Sequence, residues 1–201
     1  MFKMNTFIRN LDLQQQGIWF PLVISAIVLL FVLFMPKRQI NWRGIYLTFG
    51  VVGFVALMLD IFIVAEYFDL FDIGDPNIEG FGDLVTYGII PACLAVAYLN
   101  YFDRKNKWLY VFLFTLVSFL FEWGLTQVGY MKLKGWQNWY SIAVYLIVYG
   151  LWLPWHLKLL QHPYDGAAEQ NALSNKIHEP GFNMDKLEPD KMLSFGRKKI
   201  K

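Results

Sequence analysis

Five long apolar stretches, separated by short polar ones, organise the chain. The first, Gly17 to Met35, is nineteen residues without a charge, about 28 Å of helix against a hydrocarbon core of about 30 Å. It outlasts the apolar part of a signal peptide, and Pro36-Lys37-Arg38 follows it where a small-residue cleavage site would stand. A retained helix is therefore predicted, bent near its start by Pro21. The second stretch runs from Gly44 to about Ala65 or Tyr67 and is interrupted by Asp60. The third, Leu84 to Phe102, contains Pro91; the fourth, Trp108 to Gly129, has Glu122 as its sole charge; the fifth, Trp139 to Leu157, carries none. This pattern predicts an all-α integral membrane bundle of five transmembrane helices over residues 17–160. Within a span, proline is tolerated where neighbouring helices or water satisfy the freed carbonyl.

The flanks differ. Residues 1–16 place Met4, Phe7, Ile8 and Leu11 three to four apart, the spacing of a short helix lying in the membrane interface. Residues 161–201 mix polar residues with Pro180 and Pro189 and hold no period, which reads as a flexible tail. Its terminal Arg197-Lys198-Lys199 cluster either touches anionic lipid or simply solubilises the chain. Basic residues orient the bundle. Fourteen of the eighteen lysines and arginines fall in the connections after spans one and three and in the tail, leaving Lys3, Arg9, Lys132 and Lys134 on the other side. The positive-inside rule then places the amino terminus outside and the carboxyl tail in the cytoplasm.

Composition agrees and narrows the class. Hydrophobic residues make up 56% of the 201, aromatics 18% and charged residues 17%, where a soluble domain carries about 25% charged. The abundance of aromatics excludes disorder, Cys93 alone excludes a disulfide scaffold, and a net charge of +2 gives no reason to expect nucleic acid. No metalloprotease, nucleophile-elbow, P-loop or dinucleotide motif occurs, nor Cys and His at zinc spacing. No enzyme activity, metal or cofactor is expected on that basis. Mid-span beside Pro91, Cys93 reads as a buried structural thiol.

Carboxyl groups at membrane depth are costly, about 2.5–3.5 kcal/mol each on insertion scales, so Asp60 and Glu122 draw attention. Counted along their helices, they lie about 24 Å and 21 Å from the cytoplasmic side, both in the outer half. Gly53, Ala56 and Asp60 share a face on which another backbone can approach. Thr115, Ser118, Glu122 and Thr126 form a polar stripe at helical spacing, and Ser141, Tyr145, Tyr149 and Trp152 align similarly. One reading is a polar pocket of Asp60, Glu122, Ser118, Tyr145 and Tyr149 near the outer side. The other is that the carboxyls are protonated hydrogen-bonding groups that hold helices together. No acidic residue occupies the inner half of any span, and His156 reads as an interfacial aromatic beside Lys158, so one subunit offers no complete translocation path.

Two connections carry further signals. In the acidic loop, Asp75, Asn77 and Glu79 followed by Gly80 imitate the start of a calcium loop, but its twelfth position is Thr86, so the segment is a weak cation site or a plain hydrated loop. Trp136, Trp139 and Tyr140 cluster before span five, as an interfacial belt does, or as a tight re-entry or partner surface would.

From span two to span five, about two-thirds of the chain, the sequence resembles an uncharacterised family of small multi-pass membrane proteins of spore-forming bacteria. The residues carrying the resemblance are Asp60, Asp83 with Pro91, Glu122, and Lys134-Gly135-Trp136 with Trp139-Tyr140. It implies a helical bundle in a bacterial plasma membrane and supplies no reaction. The expectation is a non-enzymatic subunit, scaffold or sensor that meets membrane lipid and either another membrane protein or a second copy of itself. The alternatives are an oligomeric proton- or cation-coupled carrier using Asp60 and Glu122, and a lipid-headgroup enzyme with Glu122 as general base.

Overall fold

The structure, a computed structural model, describes residues 13–60, 68–75 and 80–161. The chain divides into two units, Met1–Leu157 and Lys158–Lys201. All the described helices begin in the first unit; of the second, residues 158–161 are described, as helix. Most of the expected interfacial segment and tail, together with Asn77 and Glu79, lie outside the described residues.

The chain is mostly helical. Its helices are α1 (Trp19–Phe34), α2 (Trp42–Met58), α3 (Phe81–Tyr101), α4 (Lys107–Gln127) and α5 (Asn138–Gln161). The last three are long and apolar enough to cross a membrane; α1 and α2 are shorter apolar helices. Pro21 falls in the first turn of α1, where an N–H has no intrahelical partner to lose, so it starts the helix and no kink is needed. An element the periodicity did not predict joins the loops: β1 (Phe71–Ile73) pairs antiparallel with β2 (Met131–Leu133), Asp72 facing Lys132. Three-residue strands are too short to leave an alternating signature.

Local chemistry ends the helices. Lys37 turns back and donates through Nζ to the carbonyls of Val32, Leu33 and Met35, each at 2.9 Å, satisfying the open carbonyls of α1. Asn41 caps α2 by accepting from the Gly44 N–H at 2.9 Å. Asp83 folds back to accept from the Gly80 N–H at 2.7 Å and secures the start of α3. At the end of α4, Gly129 has φ +77°, Tyr130 N–H donates to Leu125 and Gly129 N–H to Thr126. That is a Schellman stop, which glycine makes without a Cβ penalty.

Helix α3 packs against α1, α2 and α4. Its apolar window is 67% buried, whereas those of α4 and α5 are 28% buried. Ala92, Ala95 and Ala97 keep its waist narrow, and Tyr98 and Leu99 are fully enclosed. At the closest approach of α2, a Cβ on Gly53 would stand 2.9 Å from the Gly88 carbonyl, so small residues set the helix separation. The outward faces of α1, α2, α4 and α5 expose Leu30, Phe34, Phe54, Leu109, Phe112, Leu116, Ile147 and Leu151. A soluble monomer rarely shows so continuous an apolar surface. Three helices long and apolar enough to cross a membrane, with such faces around them, fit a membrane protein.

Candidate functional site

Two irregular helical segments frame a cavity. Leu84–Ile89 within α3 and Val148–Trp152 within α5 are π-helical, and each runs into a proline two residues later, Pro91 and Pro154. The closing bonds are Ile90 N–H to Val85 and Leu153 N–H to Val148. In that register the next carbonyls, of Thr86 and Tyr149, aim at proline nitrogens that carry no hydrogen. For Tyr149 the structure supplies another donor, the Tyr98 hydroxyl at 2.6 Å. Residues 59–60, at the end of the described part of α2, are π-helical too. Such bulges widen a helix locally and are frequent at functional sites.

The cavity between these segments measures about 370 Å³. Asp60, Glu122, Ser118, Tyr145 and Tyr149 all line it, among mostly apolar and aromatic neighbours. Ser141 donates to Glu122 Oε1 at 2.5 Å and Tyr145 to Oε2 at 2.7 Å. The Trp136 indole donates to Ser141 Oγ at 2.8 Å. An indole N–H can only donate, so the single serine proton points to Glu122. The carboxyl thus accepts on both oxygens, oriented by side chains of α5 and its preceding loop. Ser118 pairs with the Tyr149 hydroxyl at 2.8 Å. Thr86 also lines the cavity; the residue is 2% exposed and its hydroxyl has no hydrogen-bond partner among the described residues.

The strand pair closes one end of the cavity. Consecutive N–H groups of Lys134, Gly135 and Trp136 converge on the Leu70 carbonyl at 2.9, 3.0 and 3.1 Å, which fixes Trp136 over the cavity beside Phe71. Outside, Lys134 bridges Asp69 at 2.6 Å and Asp72 at 2.9 Å, and those carboxylates hold its ammonium above the ordinary lysine range. Trp139 and Tyr140 stack on each other at the start of α5 and are exposed. The three aromatics of this segment therefore divide, with Trp136 turned inward. Asp75 lies beyond β1, and its expected cation-site partners are outside the described residues.

The opposite end, where the α1–α2 and α3–α4 connections meet, is built differently. Asn100, fully buried, accepts from Arg38 N–H at 2.8 Å and Gln39 N–H at 3.4 Å and donates to the Pro36 carbonyl at 2.9 Å. Gln39 in turn donates to the Phe102 carbonyl. His156, expected as an interfacial aromatic beside Lys158, is instead turned into the bundle: it is 7% exposed and pairs with Thr48 at 3.2 Å. Facing α2 removes its ring from the helix surface. Sequence reasoning passed over Asn100, Thr48 and Pro154; the signal available for each was a polar residue or a proline inside an apolar run.

No family model, curated protein or solved structure matches this chain.

Proposed function

We propose that this chain is a five-span protein of a bacterial plasma membrane, amino terminus outside and tail in the cytoplasm, acting as a non-enzymatic sensor or ligand-holding subunit of a membrane assembly. The observation that carries this reading is the cavity: a carboxyl group held by oriented donors inside an otherwise apolar chamber between helices, the ordinary setting of a small-ligand site. Exposed tryptophans support the span count. Trp19, Trp42, Trp108 and Trp139 stand at or next to the helix starts, where amphipathic rings mark membrane boundaries. The resemblance to membrane proteins of spore-forming bacteria supports the location. Continuous apolar faces on α1, α2, α4 and α5 offer room for lipid and for a partner or second copy.

Copurification from native membrane in mild detergent tests the reading: a stoichiometric protein partner is expected, and a lone monomer counts against it. Labelling of single cysteines introduced at residues 39, 75, 104 and 134 in a Cys93→Ala background tests topology. Positions 39 and 104 should react from one side only and 75 and 134 from the other.

The carrier alternative retains support from one observation, two acidic side chains on one cavity. It predicts ion flux in reconstituted vesicles that Asp60→Asn and Glu122→Gln both abolish.

A further inference from the structure

The cavity brings acidic groups and no basic ones. Asp60 and Glu122 line it, and none of the described residues around it is Lys, Arg or His. Apart from a few hydroxyls its walls are otherwise carbon, with Tyr87, Trp136, Tyr149 and Trp152 contributing aromatic surface. Thr86 stands on the α3 wall, and its hydroxyl is buried and without a partner among the described residues. We infer that this cavity binds an organic cation, an ammonium group carried on an apolar body.

Each part of the chemistry selects for that class. The acidic oxygens repel anions, and the Glu122 carboxyl, which meets hydroxyl donors and no basic side chain around the cavity, attracts a cationic ligand at short range. Aromatic faces attract a cation through their quadrupole, most strongly where water is excluded. An inorganic ion is disfavoured, because Ca²⁺ and Mg²⁺ need six or so oxygens to replace their hydration shells, and these walls are mostly hydrocarbon. A plain acyl chain would fill the space but bring no polar group to Thr86 or to the Glu122 carboxyl. An apolar body with an ammonium end matches both the walls and the polar corner. A volume of about 370 Å³ falls at the small end of the range for drug-sized ligands.

This inference rests on the reading of the cavity as a ligand site, and the experiment separates the two. The full chain in dodecyl maltoside is titrated calorimetrically with benzyltrimethylammonium and with its uncharged isostere neopentylbenzene, micelle blanks subtracted. One cation per chain is expected, at least about tenfold tighter than the isostere, a difference that needs no mutant. Glu122→Gln should weaken the cation by about tenfold and leave the isostere unchanged. Thr86→Val, a fold-preserving change, should weaken 2-phenylethylammonium about fivefold, the equivalent of one hydrogen bond. It should leave the quaternary probe alone, which has no proton to donate. Equal binding of cation and isostere overturns the cation assignment while the ligand site survives. No binding of either overturns both. Added phosphatidylethanolamine distinguishes the source: competition with the cation marks a lipid headgroup, and no competition marks a free amphipathic amine.

Discussion

Asn100 and Glu122 are both buried polar side chains inside the bundle, at opposite ends, and they complete their hydrogen bonds in opposite ways. Asn100 engages backbone groups of a neighbouring connection, the N–H groups of Arg38 and Gln39 and the Pro36 carbonyl. These groups belong to the non-helical connection between α1 and α2, where no helix supplies them a partner. Glu122 engages only side chains, Ser141 and Tyr145, on a cavity where a neighbouring threonine hydroxyl goes without a partner among the described residues. The first arrangement holds the chain together. The second holds a side chain in position beside empty space, which stability alone does not require.

The difference can be broken most directly at its structural end. Asn100→Leu strands three backbone groups and should cost about 3 kcal/mol or more, read as earlier unfolding when sodium dodecyl sulfate is titrated into mixed micelles. Glu122→Gln leaves an amide that still accepts one hydroxyl, and its expected cost in the same assay is about 1 kcal/mol. Equal losses would mean that both ends are structural. Next in size is the α2–α3 contact. Gly53→Val drives a side chain into the Gly88 carbonyl and should cost about 1–3 kcal/mol by overpacking, with the π segment beside it displaced and the cavity altered.

A sharper test pairs two threonines. Thr48→Val removes the partner of His156 and should lower stability by about 1 kcal/mol. Thr86→Val replaces a hydroxyl that has no partner to lose among the described residues, so stability should hold or rise by up to about 1 kcal/mol. Opposite signs from the same substitution would locate function at the cavity end; matching signs would remove the distinction.

The smallest effect is expected at the strand pair. Lys134 is surface-exposed and its pairs with Asp69 and Asp72 are screened by salt, so Lys134→Gln should change unfolding little. Its ammonium is held above the usual lysine value by those two carboxylates. The contribution is therefore complete at neutral pH, and it fades only in strongly alkaline solution as the pH rises through the raised value. Tryptophan emission from the Trp136 segment, followed from pH 8 to pH 12, should shift only near the alkaline end, and that shift should be absent in Lys134→Gln.

How far this was readable before the fold depended on distance along the chain. The apolar runs and the polar stripe through Ser118 and Glu122 are local, carried by residues within a turn or two of one another. Trp136 is a middle case. Its Gly-Trp context suggests an interfacial belt, and only the Leu70 carbonyl, from a loop more than sixty residues away, turns it inward. Pro91 was visible as a helix irregularity, but the matching Pro154 gains its meaning from the π turn that precedes it. No propensity scale registers such a turn, because the freed carbonyl is satisfied by Tyr98 from another helix.

Period and composition by themselves determined that this chain is mostly apolar helix with two acidic side chains inside its apolar runs. Burying a helix face and crossing hydrocarbon are properties of consecutive residues. Tertiary structure alone decided that Asp60 and Glu122 share one cavity, that His156 meets Thr48 across 108 residues, and that Asn100 latches a connection 62 residues away. Those outcomes depend on which faces meet and at what separation, a choice made by small residues such as Gly53 and Ala92 and by the packing of α3 among its neighbours. Linear spacing has no access to that choice, because a hydrogen bond between helices is set by their mutual position and not by either sequence alone.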